Sequence, residues 1–192
     1  MKRRSLGVLL VCLGLVGLIG TAWAYTARPS PQQPPAPWSW APLTGIGRAT
    51  ACDVPTLPGQ TIDVVLTDMG RMMGGGMMGD GRMMSVTTNV SSVPAGEVSF
   101  RVWNAGMMVH ELVVLPLLPG GAGTRPIGRD SQVSETGSIG EASNSCGEGT
   151  GEGIAPGAVS WVTLQLAPGH YELICNLPGH YAAGMFIELD VQ

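Results

Sequence analysis

Between residue 60 and the C-terminus, apolar and polar positions alternate in short runs broken by Gly and Pro. "TIDVVLTDM" (61–69) places Ile62, Val64 and Leu66 on one face, and "GEVSFRVWNA" (96–105) does the same with Val98, Phe100 and Val102. "SVTTNVSSV" (85–93), "HELVVLPL" (110–117), "AVSWVTLQL" (158–166), "YELICN" (171–176) and "MFIELDVQ" (185–192) complete the set. A period of two, rich in β-branched and aromatic residues, marks half-buried strands. Past the N-terminal segment, no long stretch keeps a helical period. About seven or eight strands with turn punctuation predict an all-β fold, an antiparallel β-sandwich with Greek-key connections. Two connections are long. One is the Met-rich "GRMMGGGMMGDGRMM" (70–84); the other is 118–157, dominated by Gly, Ser, Thr and Glu. A loop of the second size is either functional or mobile.

Composition agrees with a single packed domain. The 192 residues are 44% hydrophobic and 12% charged, with 29 Gly and 15 Pro, which suits a turn-rich core rather than disorder. The start, "MKRRSLGVLLVCLGLVGLIGTAWAY", has a basic head, an apolar run and small residues at Ala22 and Ala24. Residues 1–24 therefore read as a signal peptide cut after Ala24. The alternative is an uncleaved membrane anchor, because residues 7–24 just reach the length of a span, with Trp23 and Tyr25 suited to the interface. Both readings place the rest on the periplasmic or extracellular side. Residues 25–59 form a Pro-rich linker and lead-in, and residues 60–192 the folded domain. Without Lys2, Arg3 and Arg4, seven Arg and no Lys face fourteen acidic residues. That balance excludes a nucleic-acid partner, which needs clustered basic side chains.

The chemistry concentrates near the C-terminus. In "YELICNLPGHYAAGMF" (171–186), Cys175, His180 and Met185 follow one another at intervals of five. Taken singly, each is an ordinary buried Cys, surface His or core Met. Together, a thiolate, an imidazole and a thioether form a soft donor set suited to copper. Pro178-Gly179 stiffens the turn that carries His180. A trigonal copper site needs a second His. His170 lies five residues before Cys175, roughly 16 Å along a strand, and reads as a turn residue. His110 opens a strand that can lie beside the end of the Cys175 strand, and is the better candidate. An oxidising compartment also bears on the remaining cysteines. If Cys175 serves a metal, Cys52 and Cys146 are left to form a disulfide, the alternatives being two free thiols or a separate metal role.

"NAGMMVHELVV" together with "YELICNLPGHYAAGM" resembles the cupredoxins, the type 1 blue copper proteins. The C-x4-H-x4-M spacing is nearest the rusticyanin, sulfocyanin and auracyanin-like branch. The resemblance covers roughly residues 60–192. It implies a Greek-key sandwich, one type 1 copper ion and one-electron transfer, with His110, Cys175 and His180 in the plane and Met185 axial. It also implies that Asn104 and Glu111 brace the site. Leu177, Pro178, Tyr181, Ala182, Ala183, Met107 and Met108 are expected to form an apolar collar over the metal. Three functions compete. The first is an exported, monomeric electron carrier, free or membrane-tethered, with a redox protein partner such as a cytochrome or oxidase. The second is a copper storage or delivery protein using the seven Met of residues 69–84, whose thioethers bind Cu(I). The third, a copper enzyme, is poor, since the chain has three His and no His-x-His pair.

Overall fold

The computed structural model describes residues 52–68 and 84–192. The signal or anchor segment, residues 25–51 and the Met-rich stretch 69–83 lie outside the described residues. Nine strands are described: β1 (Gln60–Thr67), β2 (Ser85–Thr88), β3 (Ser92–Val93), β4 (Gly96–Asn104), β5 (Leu112–Pro116), β6 (Gly140–Ala142), β7 (Val159–Leu166), β8 (Gly169–Ile174) and β9 (Phe186–Val191). They form two sheets, ordered β2-β1-β4-β7 and β3-β9-β8-β5-β6. There is no helix among the described residues, and so none long and apolar enough to cross a membrane.

The alternation read from the sequence is the alternation that packs. Ile62, Val64 and Leu66 of β1 and Val98, Phe100 and Val102 of β4 are fully buried. They meet Leu112, Val114, Leu173, Leu189 and Val191 of the other sheet in one shared core. Met84, at the end of the Met-rich stretch, packs against that core.

The all-β reading holds, but both sheets are mixed rather than antiparallel. β1 runs parallel to β4, with Gln60 opposite Val98 and Leu66 opposite Asn104, and β3 runs parallel to β9. Parallel neighbours cannot be joined by a tight hairpin, and here the chain passes through β2 and β3 between β1 and β4. The strand expected over 85–93 divides into β2 and β3. At the bend between them, the Asn89 side chain accepts from Asp63 N and the Thr88 hydroxyl donates to Val90 O.

The long segment 118–157 is ordered by the sheet it covers. It contains β6 and makes isolated bridges Ile127–Val133, Asn144–Gly153, Glu148–Trp161 and His110–Ile154. Its first half lies over the outer face of β5 and β8. There Val113, Leu115, Ile174, Tyr181 and Val133 form a second apolar cluster, with Phe186 against it. Under the same cover Glu172 is completely buried. Its carboxylate is satisfied by Arg125 Nε at 2.6 Å, Gly123 N at 2.7 Å and the Tyr181 hydroxyl at 2.8 Å. A buried carboxylate needs such partners, because taking it out of water unpaired costs several kcal/mol.

Cys52 and Cys146 form a disulfide across 94 residues of sequence, as elimination suggested. It fastens the lead-in before β1 to the second half of the long segment. Closing so large a loop restricts the unfolded chain, so Cys52→Ser with Cys146→Ser is expected to lower stability by roughly 2–5 kcal/mol. Denaturant unfolding of the double variant against the wild type, with Cys175 present in both, measures it.

Candidate metal centre

Four side chains meet where strands end. Cys175 directly follows β8 and Met185 directly precedes β9. The strand pairing continues between them, Cys175 N donating to Met185 O at 3.0 Å. The nine residues between are wound into consecutive turns. His180 N donates to Leu177 O, Ala183 N to Gly179 O, and Met185 N to His180 O. Gly179 (φ 86°) and Gly184 (φ 98°) occupy the left-handed region these turns require. His110 was expected to open β5. It stands two residues earlier and is held by a two-way backbone bridge to Ile154, at 3.2 and 2.7 Å. The register that pairs Val113 with Ile174 brings this end of β5 beside Cys175.

The donor atoms converge. Nδ1 of His110 lies 3.2 Å from Nδ1 of His180; Cys175 Sγ lies 3.2 Å from His180 Nδ1 and 3.9 Å from His110 Nδ1. His110, Cys175 and Met185 are fully buried and His180 is 6% exposed. Two imidazole nitrogens and a sulfur are aimed at one another, out of water, at distances that a shared cation can bridge. A cation between them satisfies all three at once. The set, two imidazoles and a thiol with a buried thioether beside them, fits copper.

Burial sets the protonation of the metal-free site. The Cys175 thiol is pushed up to about 12 by desolvation, against the opposing donation of Leu177 and Glu111 backbone N–H groups to its sulfur. His110 is lowered to about 4, by desolvation first and then by His180, with Asp68 opposing. His180 is lowered by desolvation. Both rings are therefore neutral near pH 7 and the thiol keeps its proton.

Asn104 and Glu111 brace the site as expected. Asn104 Nδ2 donates to Met108 O and Ile154 O at 2.7 Å each, and its Oδ1 accepts from Gly106 N. This pins the 105–109 turn that delivers His110. Glu111 N donates to Cys175 Sγ at 3.4 Å, and its carboxylate, raised to about 7 chiefly by burial, accepts from Asn176 N. The expected collar divides. Met107, Met108, Pro178 and Ala182 are exposed, while Leu177 is half-buried against the main core. Tyr181 instead packs into the second cluster, where its hydroxyl serves Glu172. His170 lies within β8 rather than in a turn, exposed and paired with Asp190 at 2.7 Å.

Three supporting residues escaped the sequence reading. Asn176 is buried and exchanges hydrogen bonds with both backbone groups of Val133, tying the turns that hold the site to the long segment. Glu172 sits on the β8 face that polar residues usually turn to solvent. Asp68 did give a signal: the alternation Ile62, Val64, Leu66 puts the next position inward, and a carboxylate there stands out.

A family model described as the sulfocyanin (SoxE) domain matches residues 84–192, more than half of the chain. The chain belongs to the sulfocyanin family. It is a cupredoxin of the rusticyanin, sulfocyanin and auracyanin branch, its cofactor is one type 1 copper ion, and His110, Cys175, His180 and Met185 are arranged as such a site. Among solved structures, the dithionite-reduced auracyanin of Roseiflexus castenholzii is similar at TM-score 0.43 and 20% identity, over 70% of this chain and 98% of its own. Rusticyanin of Thiobacillus ferrooxidans is similar at 0.45 and 20%, over 70% and 79%. Auracyanin B is similar at 0.44 and 20%, over 74% and 95%. No curated protein sequence matches the chain.

In this sulfocyanin-family site a copper ion would be held by Cys175 as the thiolate and by the neutral rings of His110 and His180, so its binding would displace the proton on the Cys175 sulfur. Copper loading near pH 7 is expected to release about one proton per chain. A pH-indicator titration in weak buffer measures it, with Cys175→Ala as the variant that releases none.

Proposed function

We propose that this protein is an exported blue copper carrier that passes single electrons between redox proteins, and that His110, Cys175, His180 and Met185 would hold its copper ion. The observation that carries the reading is the buried Nδ1–Sγ–Nδ1 convergence on ordered strand ends. A copper ion held there would supply one-electron exchange between Cu(I) and Cu(II). The chain's own part is to fix its ligands so that neither charge state asks them to move. The turn bonds across 177–185 and the clamps on Cys175, Asn176 and Asn104 do this. The buried surroundings of the donors would keep water away from a bound ion.

His180 is the ligand with exposure to the surface, so its ring edge is the proposed point of electron entry and exit. Met107, Met108 and Val109, 64%, 48% and 40% exposed, offer apolar contact of the small kind that suits a transient partner, proposed to be a cytochrome or an oxidase. Export is supported by the N-terminal signal pattern and by the Cys52–Cys146 disulfide, a bond that persists in oxidising compartments.

The copper-loaded, oxidised wild type is expected to show an intense thiolate-to-copper charge-transfer band, absent in Cys175→Ser, at one copper per chain. Loaded wild type without that band would sink the carrier reading. Several Cu(I) per chain, reduced when the Met residues of 69–84 become Leu, would favour copper storage instead.

A further inference from the structure

Outside the four donors, the most unusual group beside the site is Asp68. It directly follows β1 and lies outside the residues matched by the family model. Its side chain is 3% exposed. The carboxylate accepts from Met107 N at 2.8 and 3.0 Å and from Met108 N at 2.5 Å. Its Oδ2 also stands 3.5 Å from Nε2 of His110, the ring nitrogen that points away from the Nδ1–Sγ–Nδ1 convergence. That Nε2 is fully buried and has no hydrogen-bond partner. The gap is about half an ångström longer than a made N–H···O bond.

The surroundings are shaped for this approach. A methyl group at Gly106 would lie 2.9 Å from the Asp68 carboxyl and 3.0 Å from His110 Nε2, so the turn keeps a glycine where the two groups face each other. An imidazole that ligates through one nitrogen generally donates the other N–H to a carboxylate, a carbonyl or water, which fixes the tautomer and strengthens the ring as a donor. Nε2 is sealed from water, and Asp68 is the anion in range.

We infer that Asp68 is a positioning residue for the copper site. Its carboxylate takes the Nε2–H of His110, commits Nδ1 to the metal and, as a buried anion, stabilises Cu(II) over Cu(I). The inference rests on the proposed copper reading, but its first test needs no copper. In metal-free wild type, long-range proton–nitrogen NMR is expected to find His110 as the Nε2–H tautomer. Asp68→Ala should give a mixture of tautomers, and an Nδ1–H tautomer in the wild type overturns the inference. The second test uses Asp68→Asn, whose amide oxygen can still accept from Met107 and Met108 while the charge is gone. With the charge-transfer band intact, Cu(II) affinity should fall about 10–100-fold and the reduction potential should rise relative to wild type. An unchanged potential and affinity overturn the inference. Should Asp68→Asn not fold, Gly106→Ala retains the charge and wedges the two groups apart, and the same comparisons apply. A wild type lacking the band sinks the copper reading alone, since the metal-free tautomer measurement still decides the pairing of Asp68 with His110.

Discussion

Everything at this end of the sandwich follows from one constraint: two imidazole nitrogens and a sulfur must be held within hydrogen-bonding range of each other, away from water, without collapsing into an ordinary proton-sharing cluster. No single element can do that. β8 ends at Cys175, β9 begins after Met185, and His110 enters from the turn between β4 and β5. Strand ends are well suited, because the ladder fixes them on one side while the side chains beyond remain free to converge. The backbone bond from Cys175 N to Met185 O carries the ladder one pair past the strands themselves, so the loop bearing His180 is closed at its neck.

The rest of the fixing comes from buried polar side chains. Glu111 binds the backbone N–H next to Cys175, Asn104 binds the turn before His110, and Asn176, itself next to Cys175, binds both backbone groups of Val133. Glu172 reaches the site through Tyr181, the residue after His180, and through Arg125 on the covering segment. Such groups are costly when unsatisfied and rigid when satisfied. The long segment 118–157 is thus part of the site's frame. It shields the second cluster and supplies Val133, bonded to Asn176 beside Cys175, and Ile154, bonded to His110 and to Asn104.

How much of this the sequence discloses depends on how local each signal is. Cys175, His180 and Met185 share one strand–turn–strand unit, so spacing and donor chemistry are visible together. His110 lies 65 residues away from Cys175 and is found by asking which strand end can face Cys175. The inward faces of β1 and β4 are legible because period-two patterning survives intact there. The parallel pairing of β1 with β4 is not, since alternation is the same for either strand direction. The order of the long segment is hidden for a different reason. Its Gly, Ser and Thr residues contribute turns and bridges rather than periodicity, and its anchor, Val133, is one apolar residue among polar ones. Glu172 reads as a solvent-facing strand residue until the segment that buries it is in place.

Two acidic side chains among the described residues, Glu172 and Asp68, show why burial alone does not define a role. Glu172 is paired with Arg125, so its charge is balanced where it stands and its effect is mechanical. Asp68 is held by two neutral backbone N–H groups and faces a neutral ring. Those donors stabilise the carboxylate without cancelling it, so its field persists at the donor atoms, and in a dry site that field is weakly screened. A backbone carbonyl could have oriented His110 equally well. A carboxylate orients the ring and also distinguishes between metal charge states, favouring the higher one. The short turn 105–109 therefore links two properties: the same hydrogen bonds that set its path also fix a negative charge beside the ligand it delivers.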